Sequence, residues 1–207
     1  IPLCLVGSEM CIRDRLYTSK KSGIARISAQ ATIKSLLDKL LLWIAPILSF
    51  TAEEAFREFY KDKKSIFLES FSSAQEDISL TLDEESWKVL NEIKIEANKL
   101  LEEKRNDGII GSSLDAEVKI FCNSETFLRL SPCIDELKFL LIVSDASLEV
   151  ADDDGQSSIS IEVKSSDKEK CDRCWHHTGK LKKILDSSLC PRCIENVEGE
   201  GEKRKFF

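Results

Sequence analysis

Four cysteines near the end of the chain have the residue type and spacing of a metal site. They form two Cys-x-x-Cys pairs, Cys171 with Cys174 and Cys190 with Cys193, separated by fifteen residues. This spacing is typical of zinc sites, because two intervening residues let both thiolates of a pair face one point. Two such pairs complete a tetrahedron around Zn²⁺, with Zn–S distances of about 2.3 Å. Protein ligands would fill all four positions, so the sequence predicts one structural zinc ion and no open catalytic site.

Other interpretations of these side chains involve disulfides, unrelated surface thiols or histidine ligands. The first residues lack the basic start of a secretory signal, so we expect a reducing, cytoplasmic setting in which thiols stay free. His176 and His177 directly follow the first cysteine pair and its tryptophan. Because four cysteines already saturate zinc, we predict that neither histidine is a ligand.

The composition limits the chemistry available to the chain. Its 207 residues include only two histidines, which are adjacent, and no phosphate loop of the G-x-x-x-x-G-K type. No stretch is long and apolar enough to suggest a membrane span. With 42% hydrophobic and 32% charged residues, the balance is that of a globular protein. We therefore predict a binding function and no catalytic residues in this chain.

Basic residues are concentrated in the tail. Residues 168–207 contain ten lysines and arginines against seven acidic residues, a net charge of +3, whereas the whole chain carries −7. A local basic surface can meet phosphate even when the chain is acidic overall. The alternative is a solvated surface of mixed sign, which charge alone favours.

Hydrophobic periodicity predicts helices in the first half of the chain and strands later. Apolar residues recur at helical spacing over 24–44, Pro46 ends that helix, and a second helix follows. Asp83 caps a long third helix that stops at 106–108. Alternation predicts strands over 116–121 and 159–163, with a short helix over 125–130 and an acidic turn over 152–155 between them. The predicted fold class is mainly α with a small α/β section.

These elements divide the sequence into segments. An antiparallel helical bundle covers 23–108, an α/β junction covers 109–164, and a four-cysteine zinc finger covers 165–207. Residues 1–22 form a doubtful start, because the stretch 3–15 has no period that continues into the following sequence. That stretch also resembles a translated sequencing-adapter run, so we predict that this start is not native.

The motifs of the tail resemble those of a known family. The first pair lies in Cys-Asp-Arg-Cys-Trp-His-His over 171–177, the second in Cys-Pro-Arg-Cys over 190–193, and the tail closes with Gly-Glu-Lys-Arg-Lys over 201–205. Together they resemble the C-terminal end of bacterial isoleucyl-tRNA synthetases. Other stretches resemble parts of this family in the same order along the chain. Residues 28–30 and 43–54 resemble its anticodon-binding helical domain, residues 110–116 resemble the junction after that domain, and residues 139–144 resemble the next strand.

The resemblance implies that the chain is the tRNA-binding C-terminal part of an enzyme that charges tRNA(Ile) with isoleucine. ATP binding, activation and editing would belong to the remainder of the synthetase, because the family's His-Ile-Gly-His and Lys-Met-Ser-Lys-Ser signatures do not occur here. The expected partners are the anticodon region of tRNA(Ile) and the remainder of the synthetase chain, and a monomer is expected. The helical bundle would then be of the anticodon-binding type.

Six tail residues have the chemistry for RNA contacts under this interpretation. Basic side chains would meet phosphates, and an aromatic ring could stack on an unpaired base. For the tryptophan, packing on the metal knuckle is an equal alternative. The predicted tRNA-binding residues are Trp175, Arg173, Arg192, Lys203, Arg204 and Lys205.

Two other functions fit the four cysteines. A DNA glycosylase carries a similar C-terminal module, but a helix–two-turn–helix element should precede it, whereas an acidic turn and the alternating run 159–163 do so here. A stand-alone zinc-ribbon interaction protein would have no link to tRNA. Binding of tRNA(Ile) in preference to duplex DNA separates these functions.

Overall fold

The computed structural model of the chain describes residues 12–71, 82–151, 159–184 and 186–206. They belong to two compact units. The smaller unit is Ile27–Ser79, and the larger combines Ile1–Arg26 with Leu80–Phe207. The predicted acidic turn over 152–155 lies outside the described residues. Within the part of the chain that is described, no helix has the length and apolarity needed to cross a membrane.

The described part of the smaller unit contains all but the first residues of one helix, a second helix and a short turn. Helix α1 spans Ile24–Ile44, with the bounds predicted from its periodicity, and α2 spans Ser49–Phe59. A 3₁₀ turn at Ile66–Leu68 is fixed by Glu53, whose carboxylate accepts hydrogen bonds from the Ser65 hydroxyl and the Ile66 backbone N–H, both at 2.9 Å. The buried cluster consists of Leu41, Ala45, Ala52, Phe56 and Ile66. Only the C-terminal half of α1 contributes to this cluster, so the predicted stripe that begins at residue 24 is not buried along its whole length.

In the larger unit, a π-helical turn over Arg13–Tyr17 precedes a long helix. Helix α3 spans Glu84–Asn106, and the predicted cap is confirmed, since the Asp83 carboxylate accepts a hydrogen bond from the Ser86 N–H at 3.2 Å. The helix stops as predicted, and Gly108 follows with a φ of +72°, a conformation that glycine adopts without steric cost. Its buried face carries Leu90, Ile93, Ala97 and Leu101.

The apolar face of α3 packs against a three-stranded sheet. Strands β1 (Ala116–Cys122), β2 (Asp145–Val150) and β3 (Ser160–Ser165) lie in the order β2-β1-β3. Strand β1 is parallel to β2 and antiparallel to β3, with Val118 opposite both Ala146 and Val163. Residues of α3 and of the sheet share one buried cluster. The structure therefore groups the long helix with the sheet, whereas the sequence placed it in a bundle over 23–108.

The connection from β1 to β2 is helical. It contains α4 (Ser124–Leu130), a 3₁₀ segment (Ser131–Glu136) and α5 (Leu137–Leu141). The strand expected over 139–144 is therefore wrong. Two parallel neighbouring strands need a crossover that returns to the same end of the sheet, and this apolar run buries Leu141 and Val143 as part of that crossover. Ile142 then adopts a left-handed conformation, with φ +58°, that ends α5 before β2 begins.

The cysteine-bearing tail is a compact module within the larger unit. A short antiparallel ladder pairs β4 (Lys182–Ile184) with β5 (Ser187–Leu189), and helix α6 covers Pro191–Val197. The second cysteine pair spans the start of α6, since Cys190 is its N-cap residue. The described structure thus confirms a mainly helical chain with a small sheet section and a cluster of four cysteines.

Candidate functional site

The four predicted ligands converge in the folded chain. The sulfur atoms of Cys171, Cys174, Cys190 and Cys193 all lie within 4.8 Å of one another, and all four residues are buried. The Sγ atoms of Cys171 and Cys193 are 3.8 Å apart, and those of Cys174 and Cys190 are 3.6 Å apart. Around a tetrahedral ion with Zn–S distances of about 2.3 Å, sulfurs sit about 3.8 Å from each other. The four side chains could therefore hold one metal ion, and their spacing is compatible with zinc.

Backbone geometry turns each cysteine pair into a knuckle. In the first, the Trp175 N–H donates to the Cys171 carbonyl at 2.9 Å, and the Cys171 N–H donates to the His176 carbonyl at 3.0 Å. In the second, the Cys193 N–H donates to the sulfur of Cys190 at 3.4 Å, while the Cys190 N–H points to the sulfur of Cys171 at 3.3 Å. Backbone N–H groups directed at sulfur favour the thiolate, which is the form that binds metal.

The four thiols share hydrogen bonds that shift their pKa values in different directions. Hydrogen bonds with the other three cysteines lower the pKa of Cys171 from its ordinary 9.0 and raise that of Cys174. The hydrogen bond with Cys171 raises the pKa of Cys190, but those with Cys174 and Cys193 outweigh it and lower the pKa to about 7. A bound cation would favour the thiolate form of all four side chains by displacing their protons.

Both histidines have structural roles in this arrangement. His177 joins the finger to the sheet section, because its ring lies 3.2 Å from the Asp115 carboxylate and its backbone N–H donates to the Ser144 hydroxyl at 2.6 Å. The other ring nitrogen lies 2.7 Å from the Lys168 carbonyl, within the finger. His176 is half-buried and lies edge-on to the Phe139 ring, with 6.0 Å between ring centroids. Burial lowers the pKa of His176 to about 4, so its ring is neutral near pH 7.

Trp175 lies at the surface of the first knuckle. Its backbone φ of +68° is unusual for a bulky side chain. The residue is 37% exposed, and the Arg13 guanidinium lies 3.4 Å from its ring centroid. The Lys170 ammonium is 5.4 Å from the same centroid. The Trp175 ring is therefore partly exposed to solvent, and two cationic side chains lie close to its face.

The basic candidates fall into two groups. Lys203 and Lys205 are exposed. Arg173, Arg192 and Arg204 instead contact protein groups, and Arg192 and Arg204 have side-chain exposures of only 15% and 3%. Both of these arginines pair with Glu202, at 2.6 and 3.1 Å. Buried guanidinium groups held by carboxylates are poorly placed to meet phosphates, so the structure favours a scaffolding role for them.

The sequence did not reveal the residues that complete this arginine cluster. Asp14 pairs with Arg192 at 2.7 Å and with Arg204 at 2.6 Å, although it lies within the segment predicted to be non-native. Burial raises the pKa of Asp14, but the Arg204 hydrogen bond and the charges of Arg192 and Arg204 outweigh it, and the pKa falls below its ordinary 3.8. The excess of basic residues in the tail did not indicate this cluster, because it fits an exposed surface of mixed sign equally well and Glu202 lies within the tail itself. Residues 1–11 lie outside the described structure, so a non-native start stays a prediction for them.

Comparison with known families places this chain in a defined class. The family model described as the anticodon-binding domain of tRNA ligase matches residues 9–120, more than half of the 207 residues. The chain therefore belongs to the family of anticodon-binding domains of tRNA ligases. The match begins inside the segment predicted to be a non-native start.

Several curated relatives are isoleucine–tRNA ligases. The protein from Shewanella sp. (strain W3-18-1) is 36% identical over 206 residues. The proteins from Coxiella burnetii (strain Dugway 5J108-111) and Idiomarina loihiensis are 38% and 36% identical over 205 and 206 residues. Each comparison covers 94% of this chain but only 22% of the relative, so the chain spans about a fifth of the length of these proteins.

Proposed function

We propose that this chain is the tRNA-binding part of an isoleucine–tRNA ligase and that it recognises the anticodon region of tRNA(Ile). The observation that carries the proposal is the four-sulfur cluster. It occurs in a chain that belongs to the anticodon-binding family and whose relatives are isoleucine–tRNA ligases. ATP-dependent charging and editing belong to the remainder of the synthetase, and this chain supplies no catalytic residue. In this proposal the smaller unit belongs to a helical bundle of the anticodon-binding type, and the protein acts as a cytoplasmic monomer.

One zinc ion at Cys171, Cys174, Cys190 and Cys193 would stabilise the finger and take no part in chemistry. Four thiolates suit zinc, and a small module with little apolar core gains folding free energy from a metal. Cys190→Ser removes one ligand, and elemental analysis should show that this variant loses its equivalent of zinc. Cys133→Ser is the matched control, because Cys133 is equally buried but lies outside the cluster. A Cys190→Ser protein that kept a full equivalent of zinc would contradict this assignment.

The exposed surface of the finger offers two kinds of contact to an RNA loop. Trp175 presents a partly open ring beside cationic groups, an arrangement suited to stacking on an unpaired base. Lys203 and Lys205 are exposed and can approach phosphates. Arg173 is half-buried, and Arg192 and Arg204 would support this surface from beneath.

A binding titration of the zinc-loaded chain with fluorescent tRNA(Ile) tests the tryptophan contact. Stacking contributes about 1–3 kcal/mol per base, so Trp175→Ala should weaken binding by about five-fold or more while zinc content stays unchanged. Trp87→Ala is the matched control, since Trp87 is 38% exposed, close to the 37% of Trp175. An unchanged affinity for Trp175→Ala would show that this ring only packs on the knuckle.

Salt dependence tests the phosphate contacts in the same titration. Each phosphate contact that is removed should lower the slope of log affinity against log salt by about 0.7–0.9. We therefore expect the combined Lys203→Gln and Lys205→Gln variant to reduce the slope by about 1.5. Equal affinity of the wild-type chain for duplex DNA and tRNA(Ile) would instead favour a general nucleic-acid module of the glycosylase type.

A further inference from the structure

The segment that precedes α1 lies against the cysteine-bearing finger. Residues 13–20, called the strap below, include a π-helical turn over Arg13–Tyr17. Thr18 and Ser19 are only 2% and 4% exposed. The strap contacts finger residues that lie more than 150 positions away in the sequence; one such contact is the hydrogen bond from the Arg13 guanidinium to the Arg173 carbonyl at 2.8 Å.

A largely buried cluster of four charged side chains joins the strap to the finger. Asp14 binds Arg204 through both carboxylate oxygens, at 2.6 and 2.9 Å, and also binds Arg192 at 2.7 Å. Glu202 pairs with the same two arginines, with Arg192 at 2.6 Å and with Arg204 at 3.1 Å. Side-chain exposures are 16% for Asp14 and 13% for Glu202. Two positive and two negative charges balance in the cluster, so removal of Asp14 would leave one buried guanidinium charge without compensation.

Hydrogen bonds from the C-terminal half of the strap add to this cluster. The Arg173 guanidinium donates to the carbonyls of Tyr17 and Thr18. At the C-terminal end of the strap, the Lys20 N–H donates to the Asn196 side chain at 3.2 Å, and the Lys20 ammonium donates to the Gly199 carbonyl at 2.7 Å. The strap is therefore held at three places on the finger.

The positions of these contacts relate the strap directly to the metal ligands. Arg173 lies between Cys171 and Cys174, and Arg192 lies between Cys190 and Cys193. Each knuckle therefore positions one arginine that contacts the strap: Arg173 donates to the Tyr17 and Thr18 carbonyls, and Arg192 pairs with Asp14. A change in the knuckle backbone on metal loss would move both arginines away from their strap partners.

We propose that strap docking and metal binding at the four cysteines are coupled, so that each favours the other. Coupling between two binding equilibria is reciprocal, so the strap slows metal release and the metal keeps the strap docked. The strap is followed within a few residues by α1, which begins at Ile24. The metal site thereby orders a chain segment at the far end of the sequence, in addition to ordering the finger.

Zinc release to a chelator tests one direction of the coupling. Asp14→Asn keeps the size of the side chain but removes its charge, and we expect zinc to leave this variant at least about ten-fold faster than the wild type. Asp167→Asn is the matched control, because it makes the same chemical change at an exposed position just before Cys171. Equal release rates for the two variants would overturn the coupling.

Limited trypsin digestion of the wild-type chain tests the other direction and needs no variant. Lys20 is held on the finger, so cleavage after it should be at least about ten-fold slower in the zinc-loaded chain than after chelation. Equal cleavage rates would overturn the proposal even if Asp14→Asn failed to fold. The inference rests on the proposed zinc site, and the two fail separately. A wild type without an equivalent of zinc refutes the metal site, whereas normal zinc content with no effect of Asp14→Asn refutes only the coupling.

Discussion

Replacing Ile93 by alanine tests whether the long helix α3 packs against the sheet. Ile93 is 1% exposed and lies in the buried cluster that α3 shares with the strands. Truncation of a fully buried isoleucine removes its hydrophobic contribution and leaves a cavity, at a cost of about 2–5 kcal/mol. We expect the free energy of unfolding to fall by about 3 kcal/mol. With a urea dependence of about 2 kcal/mol per molar, the unfolding midpoint should fall by about 1.5 M.

The same helix provides a control of the same residue type. Ile95 is two positions further along α3 and is 63% exposed, so Ile95→Ala removes the same atoms from the surface. Alanine has a slightly better helix propensity than isoleucine, so this variant should match or slightly exceed the wild type in stability. Urea unfolding can be followed by the fluorescence of Trp87, which is also on α3, in a background with Trp43→Phe and Trp175→Phe. Equal losses of stability for the two isoleucine variants would refute the packing of this face on the sheet.

Two further predictions concern backbone conformation and pH. Gly108 has a φ of +72° and open space where a Cβ would lie, so Gly108→Ala should cost about 1 kcal/mol from backbone strain alone, whereas Gly179→Ala should be close to neutral in urea unfolding. Burial raises the pKa of Glu117, but hydrogen bonds from Lys168 and Ser166 outweigh it, so the pKa lies below the ordinary 4.5. Glu117 therefore contributes stability above pH 4.5 that is lost as the pH falls through its lowered pKa, and an NMR titration with a midpoint at or above 4.5 would contradict this.

Local patterns in the sequence predicted the features that depend on neighbouring residues. The bounds of α1, the cap at Asp83 and the stop before Gly108 follow from helical periodicity and terminal residue types, and the structure confirms them. The convergence of the four cysteines was also predictable, because two Cys-x-x-Cys pairs at this spacing are typical of one shared site. Cys122 and Cys133, the unpaired thiols of the middle section, are buried as ordinary core residues.

Features that depend on distant partners were not predictable from one sequence. The apolar stripe of α3 fits a helical bundle and a sheet equally well, because periodicity shows that a face is buried but not what covers it. The run that begins at Phe139 is short and apolar, and such runs do not distinguish a strand from a buried helical turn. Asp14 and Arg204 are 190 residues apart, and nothing local in either segment indicates their pairing.

Affinity for tRNA(Ile) with and without its own anticodon is the most direct test of the function proposed for this chain. The zinc-loaded chain should be titrated with tRNA(Ile) and with the same tRNA carrying another anticodon, at one fixed salt concentration. We predict that the exchange weakens binding by about ten-fold or more, because base contacts are lost while phosphate contacts remain. Equal affinities for the two RNAs would contradict anticodon recognition and leave only general attraction to the nucleic-acid backbone.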